Sequence, residues 1–477
     1  MLSRRAFLLS ALATSTASTL ARAQSAPQTG AGGAGGTSVQ PTVLRIARRS
    51  IEVNGKSASV LGIRQPDGTF GIRTQVGDRF RVRVENTLEE PSLIHWHGLT
   101  PPWQQDGVPG ISGPPIPAGG NADYDFPLRF GGTFWMHSHE GLQEQSLMLA
   151  PLIIHDGRGR GAQEVVVMLN DFSFTPPEQI FADLKKGGSM PNMARGAPGM
   201  APAGAATGPD LNDVKYDAFL ANDRTLADPE VVKVEPGGKV LLRIINGSSM
   251  SNFHLDLGQL TGELIAVDGF RIAPVVARRF PIAVAQRLDI RLTIPRAPAA
   301  HPVLAVLEGE SRQTGIILQA AGAPIARIPD NASTASPALT LDLERRLRAA
   351  EPLKPRKADR VHTLNLTGEM AGYVWSINNV AWNKDVPPLP LAAGERVELI
   401  FVNKTPMPHP MHLHGHEFQV VEIDGKRFAG AVRDTVLVPP RRRVVVAFDA
   451  NNPGLWAIHC HLLYHLDAGM FTTLGYV

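Results

Sequence analysis

Apolar and polar residues alternate over short stretches of this chain, and turn residues interrupt the alternation at close intervals. In Arg79-Phe80-Arg81-Val82-Arg83-Val84-Glu85, the apolar positions Phe80, Val82 and Val84 fall on one face of an extended segment, because successive side chains of a strand point to opposite sides. Val231-Val232-Lys233-Val234 and Arg443-Val444-Val445-Val446-Ala447-Phe448 are similar short runs rich in β-branched residues. Helical periodicity is scarce. It predicts a helix only over Leu341 to Ala350 and in the short stretch after His461 that carries His465. Many short strands between turn signals are the pattern of all-β sandwiches.

The alternation also repeats. Three segments share a Gly followed nine residues later by an Asn that closes an apolar alternating strand: Gly77 to Asn86, Gly237 to Asn246, and Gly394 to Asn403. Their starts lie 160 and 157 residues apart, the sign of a repeated domain. A mature chain of roughly 450 residues accommodates three domains of about 150 each, which we place at 41–158, 159–325 and 326–477. The 46 Gly and 39 Pro among 477 residues fit a turn-rich fold of this kind.

The N-terminus reads as a targeting segment. Ser3-Arg4-Arg5-Ala6-Phe7-Leu8, an apolar stretch through Leu20 and the small-x-small site Ala21-Arg22-Ala23 make residues 1–23 a signal peptide of twin-arginine type. The apolar run is too short, and too rich in Ala, Ser and Thr, for a membrane anchor. Residues 24–40 read as a disordered tail. These features predict export through the twin-arginine machinery, a periplasmic or otherwise extracytoplasmic location, and no transmembrane anchor. The net charge of +3 is spread along the chain, and there is no P-loop or RNA-binding signature, so no nucleic-acid partner is expected.

The candidate chemistry lies in histidine pairs and one cysteine. Ten of the 15 His fall in His95-Trp96-His97, His137-Ser138-His139, His409 with His412-Leu413-His414, and His459-Cys460-His461 with His465. Cys460 is the only cysteine, so it forms no internal disulfide. A lone thiolate, a His five residues on and Met470 ten residues on suit a blue-copper electron-transfer site. On a strand, His459 and His461 point away from the face that Cys460 uses, so the three residues can serve two metal sites.

Taken together, the four clusters resemble the copper motifs of the multicopper oxidases, the family of laccases, ascorbate oxidase and bacterial metallo-oxidases. The resemblance spans essentially the whole mature chain. It implies three consecutive cupredoxin-like Greek-key β-sandwich domains and four copper ions. The type 1 copper falls to His409, Cys460, His465 and an axial Met470. The type 2 copper falls to His95 and His412, and the type 3 pair to His97, His137, His139, His414, His459 and His461. The internal repeat agrees. Offsets of +9 and +11 reach His95 and His97 from Asn86, and His412 and His414 from Asn403. From Asn246 they reach Leu255 and Leu257, so the middle domain carries no ligands. The trinuclear cluster is therefore expected between the first and third domains.

Asp106, in Gln104-Gln105-Asp106-Gly107, matches the acid that the family places beside the trinuclear cluster, and is also a common turn signal before Gly. Many bacterial relatives carry a Glu directly after the residue matching His465. This chain has Leu466, with Asp467 next as a weak substitute. Residues 187–209 form a Gly-, Ala- and Pro-rich insert carrying Met190, Met193 and Met200, thioethers that could bind Cu(I). The resemblance implies an oxidase of laccase type (benzenediol:oxygen oxidoreductase). It would take single electrons from phenols or aromatic amines, with Cys460, His459, His461 and Asp106 in the catalytic path, and reduce O2 to water. A cuprous oxidase acting in copper tolerance is the alternative. A non-catalytic copper-binding relative is disfavoured by the complete ligand set, and a two-domain nitrite reductase by the two trinuclear half-sites.

Overall fold

The three Gly-to-Asn segments become three equivalent strands, Arg79–Asn86, Lys239–Asn246 and Arg396–Asn403. They belong to a computed structural model that describes residues 40–187, 211–320 and 322–477. The leader, most of the tail, and Met190, Met193 and Met200 lie outside the described residues. Each strand is entered through a turn in which Gly77, Gly237 or Gly394 adopts φ of 91°, 76° or 85°, a left-handed conformation that disfavours a Cβ. Each ends in a buried Asn that closes the following turn by the same device. Asn86 Oδ1 accepts from Leu88 N while Nδ2 donates to Glu90 O and Ile116 O. Asn246 bonds Ser248 N, Ser251 O and Ile282 O in the same way, and Asn403 bonds Thr405 N, Met407 O and Val438 O.

Around each strand stands a two-sheet sandwich. In all three cases the strand runs parallel to the one that opens its domain: Thr42–Val53, Gln163–Phe172 or Arg360–Glu369. On its other edge it runs antiparallel to Asn121–Pro127, Arg287–Thr293 or Arg443–Asp449. The paired sheets have four and four, six and five, and seven and five strands. The chain is thus all-β, with three cupredoxin-type domains in series. Burial follows the alternation: Phe80, Val82 and Val84 are at most 2% exposed, each such side chain contributing ~1.5–3 kcal/mol relative to exposure. The first domain has its own apolar cluster, built around residues such as Phe80, Trp96 and Phe126. A larger cluster runs continuously through the second and third and takes in Trp135, Leu142 and Leu149 of the first.

The second sheet of each domain carries the histidine positions. His95 faces His137 across the strands Ile94–His97 and Gly132–Ser138, and His412 faces His459 across His409–Leu413 and Leu455–Cys460. In the middle domain the equivalent pair is Leu255 and Ala305, both buried.

Two expectations about helices change. The helix expected over Leu341 to Ala350 is only Asp342–Arg346. Leu347 turns extended, and Ala349 and Ala350 bond to Gly430 O and Arg271 O, so pairing with neighbouring strands ends the helix. A further helix, Pro177–Lys185, was not expected. Its sequence carries Pro at the first helical position, Glu178 in the first turn and Lys185 in the last, all favourable helix signals. The helix expected after His461 is present as Leu463–Asp467.

Candidate metal centre

The strand Leu455–Cys460 and the helix Leu463–Asp467 divide the candidate residues between two sites. On one face Cys460 Sγ lies 3.5 Å from His409 Nδ1 and 3.8 Å from His465 Nδ1, and the two imidazole nitrogens are 3.2 Å apart. All three side chains are buried. Met470 closes the loop: its N–H donates to His465 O, its carbonyl accepts from Cys460 N, and it is fully buried. The outward nitrogens are occupied. His409 Nε2 is 2.7 Å from Thr405 Oγ1, and His465 Nε2 is 3.0 Å from Asp213 Oδ2. Trp375 stacks on His465 at 3.9 Å. Burial pushes the Cys460 thiol up from its ordinary range and the His409 imidazole well down. A neutral imidazole is ready to ligate, whereas the thiol needs a cation to become thiolate.

On the other face, eight histidines from the first and third domains converge. His139, His414 and His459 form one group; His95, His97 and His137 another; His95, His412 and His414 a third. His461 joins the second side, its ring centre 5.0 Å from those of His97 and His137. The His97 and His412 rings, one from each domain, stack at 3.8 Å.

The ring nitrogens show a consistent division. His95 Nδ1 donates to Asp106 O, His412 Nδ1 to Asp434 O, His459 Nδ1 to Cys460 O, and His97 Nε2 to Asp434 Oδ1. His137 Nδ1 is 2.7 Å from Glu144 Oε2. The opposite nitrogens, His95 Nε2, His97 Nδ1, His137 Nε2, His139 Nε2, His412 Nε2 and His461 Nε2, are buried with no hydrogen-bond partner. His414 Nε2 and His459 Nε2 face each other at 2.9 Å. A buried unpaired nitrogen is costly, and so many pointing at one space fit bound cations. Burial first, then the neighbouring rings, holds His97, His137, His139, His414, His459 and His461 well below the ordinary imidazole range.

Asp106 lies against two of the histidines. Its Oδ2 is 2.8 Å from His414 Nδ1, its Oδ1 is 3.3 Å from His95 Nδ1, and it is buried. Asp467 is a correction: it is exposed on its short helix, with Lys185 as its charged neighbour, and takes no part in the cluster. A further acid beside the histidines is Glu144, buried against His137 and 3.9 Å from His461 Nδ1, with its carboxyl raised well above the ordinary range by burial. Asp434 and Asp213 also went unread. Burial works against ionisation of Asp434, but Arg287 outweighs it and holds the carboxyl low. His416 is not among the converging rings: its Nδ1 meets His414 O, its Nε2 bonds Tyr476 Oη, and burial lowers it to about 4.

Sequence comparison gives the geometry its context. Models of multicopper oxidase domains match residues 46–159, 163–321 and 355–475. Multicopper oxidase MmcO of Mycobacterium tuberculosis is 31% identical over 418 residues, covering 85% of this chain and 81% of the relative. The chain belongs to the multicopper oxidases. Such proteins bind copper, generally four ions, and their oxidase activity takes O2 and a reducing substrate. A copper resistance protein A homolog of Pseudomonas syringae pv. tomato is 27% identical over 90% of this chain and 91% of that protein. Among solved structures, the laccase from Botrytis aclada shares the fold at a TM-score of 0.74, with 22% identity over 91% of this chain and 88% of its own. A metallo-oxidase from Campylobacter jejuni does so at 0.68, with 19% identity over 91% and 90%.

Proposed function

We propose that this multicopper oxidase is of laccase type, oxidising phenols or aromatic amines one electron at a time. His409, Cys460, His465 and Met470 would hold the type 1 copper and His95 and His412 the type 2 copper. His97, His137, His139, His414, His459 and His461 would hold the type 3 pair. When bound, copper supplies one-electron acceptance at the cysteine site and the four-electron reduction of O2 to water at the histidine cluster. The protein's part is to join, insulate and protonate. Cys460 is bonded to both flanking histidines, and its carbonyl accepts from His459 Nδ1 at 2.9 Å, a short through-bond link between the sites. Asp106 and Glu144 stand beside ligands of both domains as proton-holding groups.

The observation that carries the laccase reading is Asp213. Its Oδ2 accepts from His465 Nε2 and from Tyr373 Oη, while its Oδ1 is buried and unpartnered. A phenol or aromatic amine loses a proton as it loses an electron. An unpartnered carboxylate oxygen behind His465, buried rather than open to a substrate, supports the reading as a group that can take up the released proton.

One observation favours a second reading, a cuprous oxidase. The Met-bearing insert leaves the described chain at Gly187 and returns at Leu211. Phe181 of the preceding helix stacks on Tyr464 at 5.9 Å, and Asp213 follows the return by two residues, so both flanks of the insert belong to the type 1 side. Turnover of a phenol and of Cu(I) by the copper-loaded enzyme under O2, with and without residues 187–209, separates the readings. The laccase reading expects phenol turnover to persist or rise in the deletion. Selective loss of Cu(I) oxidation from an enzyme poor with phenols would replace it. The leader motif supports export through the twin-arginine machinery to the periplasm or another extracytoplasmic space. Among the described residues no helix is long and apolar enough to cross a membrane.

A further inference from the structure

The middle domain has no ligands, yet one of its side chains grips a carboxylate that touches the histidine cluster. Arg287, at the start of the strand Arg287–Thr293, is fully buried. An arginine has five N–H donors, and here all five are used. Nε donates to Thr133 O of the first domain at 3.2 Å. Nη1 donates to Ala285 O and to Asp434 Oδ1, and Nη2 to Asp268 O and to Asp434 Oδ2. The fork thus grips one third-domain carboxylate in two-point fashion while backbone carbonyls of two other domains fix the guanidinium itself.

What Asp434 does next gives that grip its meaning. Its Oδ1 accepts from His97 Nε2 at 3.1 Å and from Thr435 Oγ1 at 2.8 Å, and its carbonyl accepts from His412 Nδ1 at 2.9 Å. Thr435 Oγ1 lies 3.3 Å from His97 Nε2 and 3.2 Å from His412 Nδ1. The neighbouring Gln286 donates from Nε2 to Thr435 O. Asp434-Thr435 therefore fixes the orientation of two stacked rings, one from each ligand-bearing domain. The fit is tight, since a Cβ on Gly98, directly after His97, would stand 2.6 Å from both Arg287 Nη2 and Asp434 Oδ2.

From this we infer that Arg287 is a positioning residue for the trinuclear copper site: through Asp434 it sets the ring orientations of His97 and His412. The ligand-free domain is thus the third wall of the cluster. The inference rests on the ligand reading above. A neighbouring buried arginine cluster, Arg158 and Arg243 with Asp289 and the Thr133 hydroxyl, touches no histidine and meets Arg287 only through the Thr133 backbone carbonyl, so it serves as the control.

The test is Arg287→Lys in the full, copper-loaded chain, read by the type 2 electron paramagnetic resonance signal and by copper retained during dialysis against a chelator. Lysine has three donors and no fork, so it cannot hold both Asp434 oxygens and the three carbonyls. The expected result is an altered type 2 signal and a ~10–100-fold loss of affinity at that site, with the blue type 1 band unchanged. Asp289→Asn should lower thermal stability and leave the type 2 signal as in wild type. If Arg287→Lys does not accumulate as folded protein, Asp434→Asn is read in the same way, because it breaks the grip while leaving Arg287 its three carbonyl acceptors. A wild-type type 2 signal and wild-type copper retention in the folded variant would overturn the inference. So would an equal loss in Asp289→Asn, which would mark general damage to the interface. A wild-type chain with full copper but no type 2 signal would overturn the ligand reading itself.

Discussion

Replacing Asp106 by Asn separates the proton-holding role proposed for that residue from its structural one. The backbone carbonyl of Asp106, which accepts from His95 Nδ1 at 2.8 Å, is untouched by the change. An amide oxygen can still accept from His414 Nδ1, now 2.8 Å from Oδ2. Both ring orientations are therefore retained, and copper content should stay at the wild-type level. What is lost is a group that can carry a proton, next to His95 and His414, with its Oδ1 3.3 Å from His95 Nδ1 and holding no hydrogen bond. A positioned proton donor or acceptor contributes ~10²–10⁴-fold to rate, or about 3–5 kcal/mol of barrier at ~1.36 kcal/mol per decade. Stopped-flow mixing of fully reduced Asp106→Asn with O2 should show reoxidation slowed by that factor. Anaerobic bleaching of the blue band by substrate should keep its wild-type rate, because the cysteine site is unaltered. Wild-type reoxidation in a fully loaded variant would refute the role and leave Asp106 as a turn residue after Trp103–Gln105.

Asp213→Asn should lower kcat/KM for phenols ~10²-fold and spare a donor that gives up an electron without a proton, and equal loss with both donors would remove the base from the account. Asn246→Ala leaves Ser248 N, Ser251 O and Ile282 O without their partner, so denaturant unfolding should show a loss of ~1–3 kcal/mol with the blue band intact. No loss would mean that the repeated Asn is incidental. Asp156 is opposed by burial, but Arg158 and Arg271 hold it down to about 2 from 3.8. Its stabilising contribution is therefore present above pH 3.8 and fades as pH falls toward about 2. The gap in melting temperature between wild type and Asp156→Asn should narrow over that interval, and a constant gap would contradict the assignment.

How much of this was legible in the chain depends on how local each signal is. The Gly-to-Asn repeat was readable because a left-handed turn and a turn-closing Asn are each decided within a few residues of one strand. The cysteine site was readable for the same reason: Cys460, His465 and Met470 follow one another through one strand and one short helix. Alternation failed where a strand is covered on both faces. All seven residues of Gly132–Ser138 are buried, so the strand shows no polar face, and only His137, paired with His139 just beyond the strand, betrayed it. Asp434 and Asp213 were unreadable because their partners are remote in sequence. Asp434 meets Arg287 at a separation of 147 residues and His97 at 337, and Asp213 meets His465 at 252. The one hint was a charged pair, Arg433-Asp434, inside the buried run from Ala431 to Val438. For Asp467 the reasoning followed sequence proximity to His465, whereas its helix turns it toward solvent.

The central claim is that one cysteine joins a one-electron site to a buried trinuclear site. Cys460→Ser in the copper-loaded chain tests it most directly, with absorption and copper analysis on the same sample. Cys460 is the only cysteine, so the account predicts complete loss of the intense blue thiolate-to-copper band and of oxidase activity. Copper at the eight-histidine cluster should remain, since none of its ligands is changed. A Cys460→Ser protein that stays blue, or that keeps oxidising substrate at the wild-type rate, would contradict it.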